Sequence, residues 1–513
     1  MNDLNPNRWW TLACVAIGTF MLLLDVTIVN VALPAIQKDL HANFTDLQWV
    51  IDAYALMLAS VLLVSGSVAD IVGRRRIFVL GLGLFSAASL ACGLATTPTF
   101  LTLARAVQGI GGAMLFACSL ALLAHAFQGK ERATAFGVWG ATIGGAVAIG
   151  PLAGGVLTDS LGWEWIFFVN VPIGIAASFV TLAKVDESKD PSPTKVDWLG
   201  AATFSGALFT LVFALIRGNA EGWGSTTIVV LFVESVLLMI AFIALELRAE
   251  QPMLDLSLFR KPAFAGASVA AFTLSAGMIS LFLYIVLYVQ NVLGYSPLET
   301  GVRFLPLSIT SFFVAPAAGR LSARLPARVL LGAGLVIVGV GLLLQGGISD
   351  GDDWTHLLAG FIIAGAGIGT VNPNLAQASI AVVDPRRSGM ASGINNTFRQ
   401  VGLATGIAAL GAIFQSHVQQ KVIDGLSHSP VAAHASAIAH AVSSGAGRQS
   451  FGGVPDQSRA LVEHTARHAF ISGLNELFVI GAMIAFAGAI LSFVLVRQSD
   501  FVASAAQPAS AAA

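Results

Sequence analysis

The sequence predicts an all-α polytopic membrane protein: fourteen transmembrane helices arranged as two six-helix bundles plus two extra helices. Three observations predict it. Of 513 residues only 11% are charged and 56% are hydrophobic, with a mean hydropathy of +0.80, whereas a soluble domain carries about 25% charged residues. Fourteen apolar runs are each long enough, at about 20 residues, to cross a bilayer core of about 30 Å. Lysine and arginine, finally, fall on alternate sides of those runs.

The runs cover 9–35, 46–69, 77–96, 99–126, 133–158, 164–184, 197–217, 226–246, 263–290, 298–322, 327–346, 355–382, 389–415 and 470–496. The first is too long for the core of a signal peptide and is retained as a span. With both termini cytoplasmic, eighteen basic residues fall in cytoplasmic segments, while the short outer loops hold only Lys38 and Arg217. That asymmetry sets the orientation in a cytoplasmic (inner) membrane.

Two stretches repeat eight spans apart. GSVADIVGRRR (66–76) follows span 2 and GRLSARLPAR (319–328) follows span 10, while VQGIGG (107–112) of span 4 resembles AGAGIG (364–369) of span 12. The division that follows is 1–190 for a first six-helix half and 191–261 for a two-helix insert with its linkers. A second half covers 262–497, with a long outer loop at 416–468 that carries a short helix at 457–468, and 498–513 forms a disordered cytoplasmic tail. Parallel halves imply a central site opened alternately to either side.

Charged residues inside the spans are the first functional candidates. Asp25 interrupts the run 9–34, where an aspartate at a helix centre costs about 2.5–3.5 kcal/mol. Asp52 and Arg105 lie about 6–10 Å below the outer surface, at about 1.5 Å per residue. Arginine keeps its proton, so only the carboxylates can titrate, and a proton and a cationic substrate would compete for them. Arg399, flanked by Asn395 and Asn396 in NNTFRQVG (395–402), is a second intramembrane cation, expected to line a cavity or to pair with helix carbonyls. Glu234 is mid-span in the insert, which is expected at the periphery, and Glu299 with Arg303 reads as a surface ion pair.

Other classes are excluded. A net charge of −1 gives no grip on nucleic acid. Cys14, Cys92 and Cys118 lie in apolar runs and form no disulfide framework or CxxC site. Six of nine histidines fall in the outer loop. His464 and His468 share a helix face there, but Glu463 projects off it, so no metal is expected. No HExxH or Walker loop occurs, so neither an enzyme nor direct ATP use is indicated.

Several motifs together resemble the major facilitator superfamily, in particular its fourteen-span drug:proton antiporters of the EmrB/QacA type. They are GSVADIVGRRR (66–76), LARAVQGIGGA (103–113), AIGPLAGG (148–155), LDVTIVNVALP (24–34) and WEWIFFVNVPIG (163–174). They occur in order over residues 10–415, with one departure at Glu164, where the family carries a basic residue. The resemblance implies the major facilitator fold and multidrug efflux driven by the proton motive force, with no cofactor. It places spans 1, 2 and 4 together, so that Asp25, Asp52 and Arg105 share a cavity. Gly66, Asp70, Gly73, Arg74 and Arg75 become a cytoplasmic latch for one access state. Gly150, Pro151, Gly154 and Gly155 become the antiporter motif, bending span 5 and packing it across the interface between halves. Asn30, Tyr54, Met57, Gln108, Asn395, Asn396 and Arg399 are candidate cavity residues, as are Met21, Met114, Met278, Phe282, Tyr284 and Tyr288. The expected partners are a small-molecule substrate, H+ and the bilayer; no residue points to a periplasmic adaptor. Export or uptake of a metabolite, siderophore or sugar on the same fold is the alternative.

Overall fold

Long apolar runs bounded by capping residues fold as expected into helices. The computed structural model describes residues 7–42, 44–127, 129–189, 197–249, 254, 256–322, 324–383, 388–443 and 456–501, and no strand occurs among them. The tail from 502 and most of the linker before 197 lie outside the described residues. The helices are α1 (Arg8–Asp39), α2 (Phe44–Val72), α3 (Arg74–Gly93), α4 (Pro98–Ala126), α5 (Gly129–Ser160), α6 (Trp165–Phe168), α7 (Asn170–Lys184), α8 (Trp198–Glu221), α9 (Thr226–Glu246), α10 (Pro262–Leu274), α11 (Leu281–Leu287), α12 (Pro297–Leu321), α13 (Ala327–Gln345), α14 (Leu358–Ala381), α15 (Ser388–Leu426), α16 (Ala435–Ser443) and α17 (Asp456–Leu495). Among the described residues thirteen helical stretches are long and apolar enough to cross a membrane, α6–α7 and α10–α11 each counting as one. The remaining expected run is α5, a continuous helix of 32 residues packed along α1 and α12.

Local chemistry sets the ends. Thr97 caps α4 ahead of Pro98 at its first turn, and Asp197 and Ser225 cap α8 and α9. Ser296 and Glu299 form a reciprocal capping box on α12. That box changes the expected surface ion pair. The Glu299 carboxylate accepts from the Ser296 amide at 2.8 Å. Arg303 instead donates to the Glu299 carbonyl at 2.8 Å and lies 3.5 Å over the Tyr295 ring.

The repeat read from sequence is realised as repeated packing. A Cβ on Gly109 of α4 would stand 2.5 Å from the Tyr54 carbonyl of α2, and one on Gly365 of α14 would stand 2.2 Å from the Leu307 carbonyl of α12. One turn half further on, Gly111 abuts the Phe85 amide of α3 and Gly367 the Val338 amide of α13, both at 2.7 Å. Small residues thus bring backbones together at equivalent places in both halves. Phe78, Phe85, Phe116 and Trp139 centre the apolar core of the first half. Phe264, Leu335, Phe361 and Phe478 centre that of the second, which also takes in Phe204 and Phe242 of the insert.

Two expectations change. The stretch 416–468 is more helical than expected: α15 runs on to Leu426 and α16 follows, while the short helix expected at 457–468 is the start of α17 at Asp456. Val418, Val422 and Leu426 recur every four residues and are fully buried, as is Val462 of α17. A count of lipid-length apolar runs misses this stripe, because it packs on protein beyond the bilayer. The insert, expected at the periphery, is partly interior. Phe213 of α8 stacks on Trp49 of α2 at 5.4 Å, and Val212 meets Leu56, Ala59 and Ala404, so α8 covers the seam between α2 and α15.

Candidate functional site

Asp25 is paired, and the pair is sealed. Its carboxylate forms an ion pair with Arg105, and each residue is 1% exposed. Gln108, one turn along α4 from Arg105, closes a ring: its Nε2 donates to Asp25 Oδ1 at 2.8 Å and its Oε1 accepts from Arg105 Nη1 at 2.7 Å. Arg105 Nε donates to the Val50 carbonyl at 3.2 Å, and the guanidinium lies 4.3 Å over the Tyr54 ring. Asn170 donates to Asp25 Oδ1 at 3.5 Å and to Ser89 Oγ at 3.0 Å, and Ser89 in turn donates to the Phe167 carbonyl at 2.9 Å. Helices α1, α2, α3, α4 and α7 each contribute a group. A buried ion pair survives when further hydrogen bonds satisfy its remaining lone pairs and protons, and this one has them.

Ser89, Asn170 and Cys92, whose thiol donates to Gln108 Oε1 at 3.7 Å, were not singled out in the sequence. Asn170 stands inside WEWIFFVNVPIG, where a lone amide in an apolar helix was the available signal. Asp52 does not join the ring. It is half-buried on α2, and the cation that acts on it is Arg217 of α8, itself bonded to Glu221 at 3.1 Å. Tyr54 is 2% exposed and donates to the Leu22 carbonyl at 3.3 Å, so it supports the ring. Met57 is half-buried, and the Asn30 side chain lies outside the described residues.

The motif GSVADIVGRRR (66–76) makes a joint between halves. Asp70 Oδ1 accepts from Arg74 Nε at 2.8 Å, while its Oδ2 accepts from the Met390 amide in the first turn of α15 at 3.0 Å. Asp70 thus accepts from two kinds of donor, a loop cation and a helix N-terminus, and the helix end favours the negative charge. Gly73 holds φ at 127°, and a Cβ there would strike the Glu187 carboxylate at 2.7 Å. Arg74 is buried; Glu187 accepts from the Arg75 amide at 3.0 Å, and Arg75 Nη1 donates to the Val185 carbonyl at 3.1 Å. Gly66 is buried within α2.

The antiporter motif faces two ways. A Cβ on Gly150 would come within 1.8 Å of Thr27 Oγ1 on α1, so its close neighbour lies in its own half, next to Asp25, rather than across the interface as expected. Gly155 does face the other half, with a Cβ 3.6 Å from that of Leu298. Gly154 is buried, and the Pro151 side chain lies outside the described residues.

In the second half Arg399 donates to Asn372 Oδ1 of α14 at 2.8 Å, not to a helix carbonyl. Asn396 donates to the Phe116 carbonyl of α4 at 3.4 Å, across the halves. Met21 and Met278 are fully packed into the two cores, Phe282 packs on Phe304, and Tyr284 donates to the Ile407 carbonyl at 3.3 Å. These side chains fill the halves in this packing. Tyr288 is buried and Met114 partly so. Glu234 points outward from α9. His464 and His468 share Asp350, at 3.8 and 3.2 Å, a carboxylate from a turn distant in sequence; among the described residues no group of three or more His, Cys, Asp or Glu is arranged to hold a metal.

The chain is similar to known proteins. The family model described as Major Facilitator Superfamily matches residues 15–407. The multidrug resistance protein Stp of Mycobacterium tuberculosis is 37% identical over 411 residues, 80% of this chain and 76% of that protein. The puromycin resistance protein pur8 of Streptomyces alboniger is 36% identical over 414 residues, 80% and 82% of the two chains. The tetracenomycin C resistance and export protein of Streptomyces glaucescens is 31% identical over 505 residues, 97% and 94%. The fold also matches the crystal structure of the human organic anion transporter MFSD10, with a TM-score of 0.62, 15% identity and coverage of 95% and 100%. With its helical bundles, its repeated glycine contacts and a family match over most of its length, the chain belongs to the Major Facilitator Superfamily.

Proposed function

We propose that this protein is a proton-coupled exporter, a drug:H+ antiporter that moves hydrophobic and cationic small molecules out across the cytoplasmic membrane by alternating access. The observation that carries the reading is the buried ring of Asp25, Arg105 and Gln108. Its one group able to change charge is a carboxylate sealed from both sides, which suits a proton site that is reached only when the halves rearrange. The printed names of the relatives, resistance to puromycin and export of tetracenomycin C, support outward transport of small molecules. Each inward proton supplies about 2.3 kcal/mol per 100 mV. Two protons per neutral substrate supply about 4–5 kcal/mol, enough for a gradient of about a thousandfold. A monovalent cation leaving forfeits one of those charges.

The test is uptake of a panel of dyes and metabolites into inverted vesicles under an imposed pH gradient, with wild type beside Asp25→Asn. Wild type accumulates its substrates and loses them when gradient and voltage are collapsed. Asp25→Asn, present in the membrane at normal abundance, accumulates none. Transport that persists after both forces are collapsed, or full transport by the variant, overturns the reading.

A further inference from the structure

The acidic ring belongs to the first half; a second buried polar feature belongs to the other and is left unfinished by the protein itself. Ser392, Asn395, Asn396 and Arg399 recur along α15 at positions i, i+3, i+4 and i+7, so they form one stripe. Ser392, Asn395 and Asn396 are each no more than 2% exposed. Every member nevertheless keeps a buried polar atom without a hydrogen-bond partner: Ser392 Oγ, Asn395 Nδ2, Asn396 Oδ1 and Arg399 Nε. Such orphans are uncommon singly, and four on one helix face form a pattern. The stripe runs along the seam between halves, where Asn396 reaches the Phe116 carbonyl and Gly393 lies against Leu63 of α2.

Charge sharpens the pattern. Arg105 is neutralised by Asp25, but Arg399 has no carboxylate partner among the described residues; Asn372 Oδ1 is its acceptor there. A guanidinium inside a membrane protein without a counter-ion is costly. Two of the orphans, Arg399 Nε and Asn395 Nδ2, are donors one turn apart. We infer that this stripe is the cargo's polar subsite, and that it takes an anionic acceptor group, a carboxylate or phenolate, at one end of the molecule. The inference rests on the exporter reading and specifies one end of the cargo, whatever its other end carries. In this packing the other half covers the stripe; parting the halves exposes it to cargo, whose acid end supplies both the missing charge and the missing acceptors.

The test uses purified full-length protein in phosphatidylcholine nanodiscs, titrated with 1-pyrenebutyric acid and with its methyl ester, each corrected against empty nanodiscs. Wild type is expected to bind the acid at least about tenfold more tightly than the ester, the scale of hydrogen bonds to a charged group. Arg399→Gln brings that ratio to near one, and Arg399→Lys retains part of it. Asn372→Leu, which removes the acceptor orienting the guanidinium, reduces it as well and serves should Arg399→Gln fail to fold. No preference in wild type, or a preference that survives Arg399→Gln, overturns the inference. Gradient-driven uptake of either probe by wild-type vesicles is measured separately, so that failure of export and failure of this subsite give different results.

Discussion

Asp25 and Arg105 are worth more as a pair than either is alone. Both are sealed at 1% exposure, so removing one strands a buried charge, at about 3–5 kcal/mol, whereas removing both need not destabilise the fold. Arg105→Leu is therefore expected to lower the unfolding temperature in detergent markedly, and Asp25→Leu/Arg105→Leu to recover most of the loss. Proton-driven transport is expected to be absent from both. A double variant as unstable as the single one would show that the ring stabilises by packing rather than by charge balance. Asp25 and Arg105 were visible in the sequence because a charge in an apolar run carries a desolvation cost that reveals it, and Gln108 only as a cavity candidate. Ser89 and Asn170 were not, since a serine can bond its own helix and a single asparagine has many bland placements. Asp52 was legible as a buried acid but not in its company. Which helix face it occupies depends on α8, and nothing in the order of spans says that an insert packs there.

Among the elements, α5 illustrates how far spacing carries. Its small residues predicted close approach, and close approach occurs, but at Gly150 the neighbour is Thr27 of α1. Sequence gives the capacity for contact without naming the neighbour. Gly150→Ala is expected to push α5 from α1, since its Cβ would sit 1.8 Å from Thr27 Oγ1 and 2.6 Å from Thr27 Cβ. Loss of transport with protein still in the membrane should follow, and Thr27→Gly in the same chain should restore a measurable part by clearing both atoms. Rescue by Thr27→Gly is the decisive comparison, because a general intolerance of α5 to substitution would not respond to a change on α1. The joint at Asp70 offers a second case. Asp70→Asn keeps the shape but removes the charge facing Arg74 and the first turn of α15. Faster amide exchange at residues 388–392 than in wild type is expected, and unchanged protection there would mean the joint holds by packing alone. The extension of α15 to Leu426 escaped the sequence for a different reason: the stripe of Val418, Val422 and Leu426 is apolar only every fourth residue, which a window tuned to lipid averages away.

At the scale of the whole molecule the two halves meet at both ends of the bundle. At one end Asp70 holds the first turn of α15, and Gly137 of α5 lies against Pro316 of α12, a Cβ there standing 2.9 Å from its Cα. At the other, expected to be the outer end, Gly155 of α5 faces Leu298 at the start of α12, with a Cβ-to-Cβ separation of 3.6 Å. Alternating access requires each of these contacts to break in turn, since neither face can admit substrate while both hold. The outer one is the easier to trap, because 3.6 Å lies inside the Cβ separation of about 3.5–4.5 Å that a disulfide spans. The three native cysteines are buried and compete little. Gly155→Cys/Leu298→Cys should accordingly cross-link under mild oxidant, seen as resistance to thiol labelling at both positions, and gradient-driven transport should stop while the link is intact. Reductant should restore it, and either single variant should transport under oxidant. Full transport by cross-linked protein would mean that this seam stays shut throughout the cycle, and the moving interface would then have to be sought between α2 and α15, where α8 already lies across the gap.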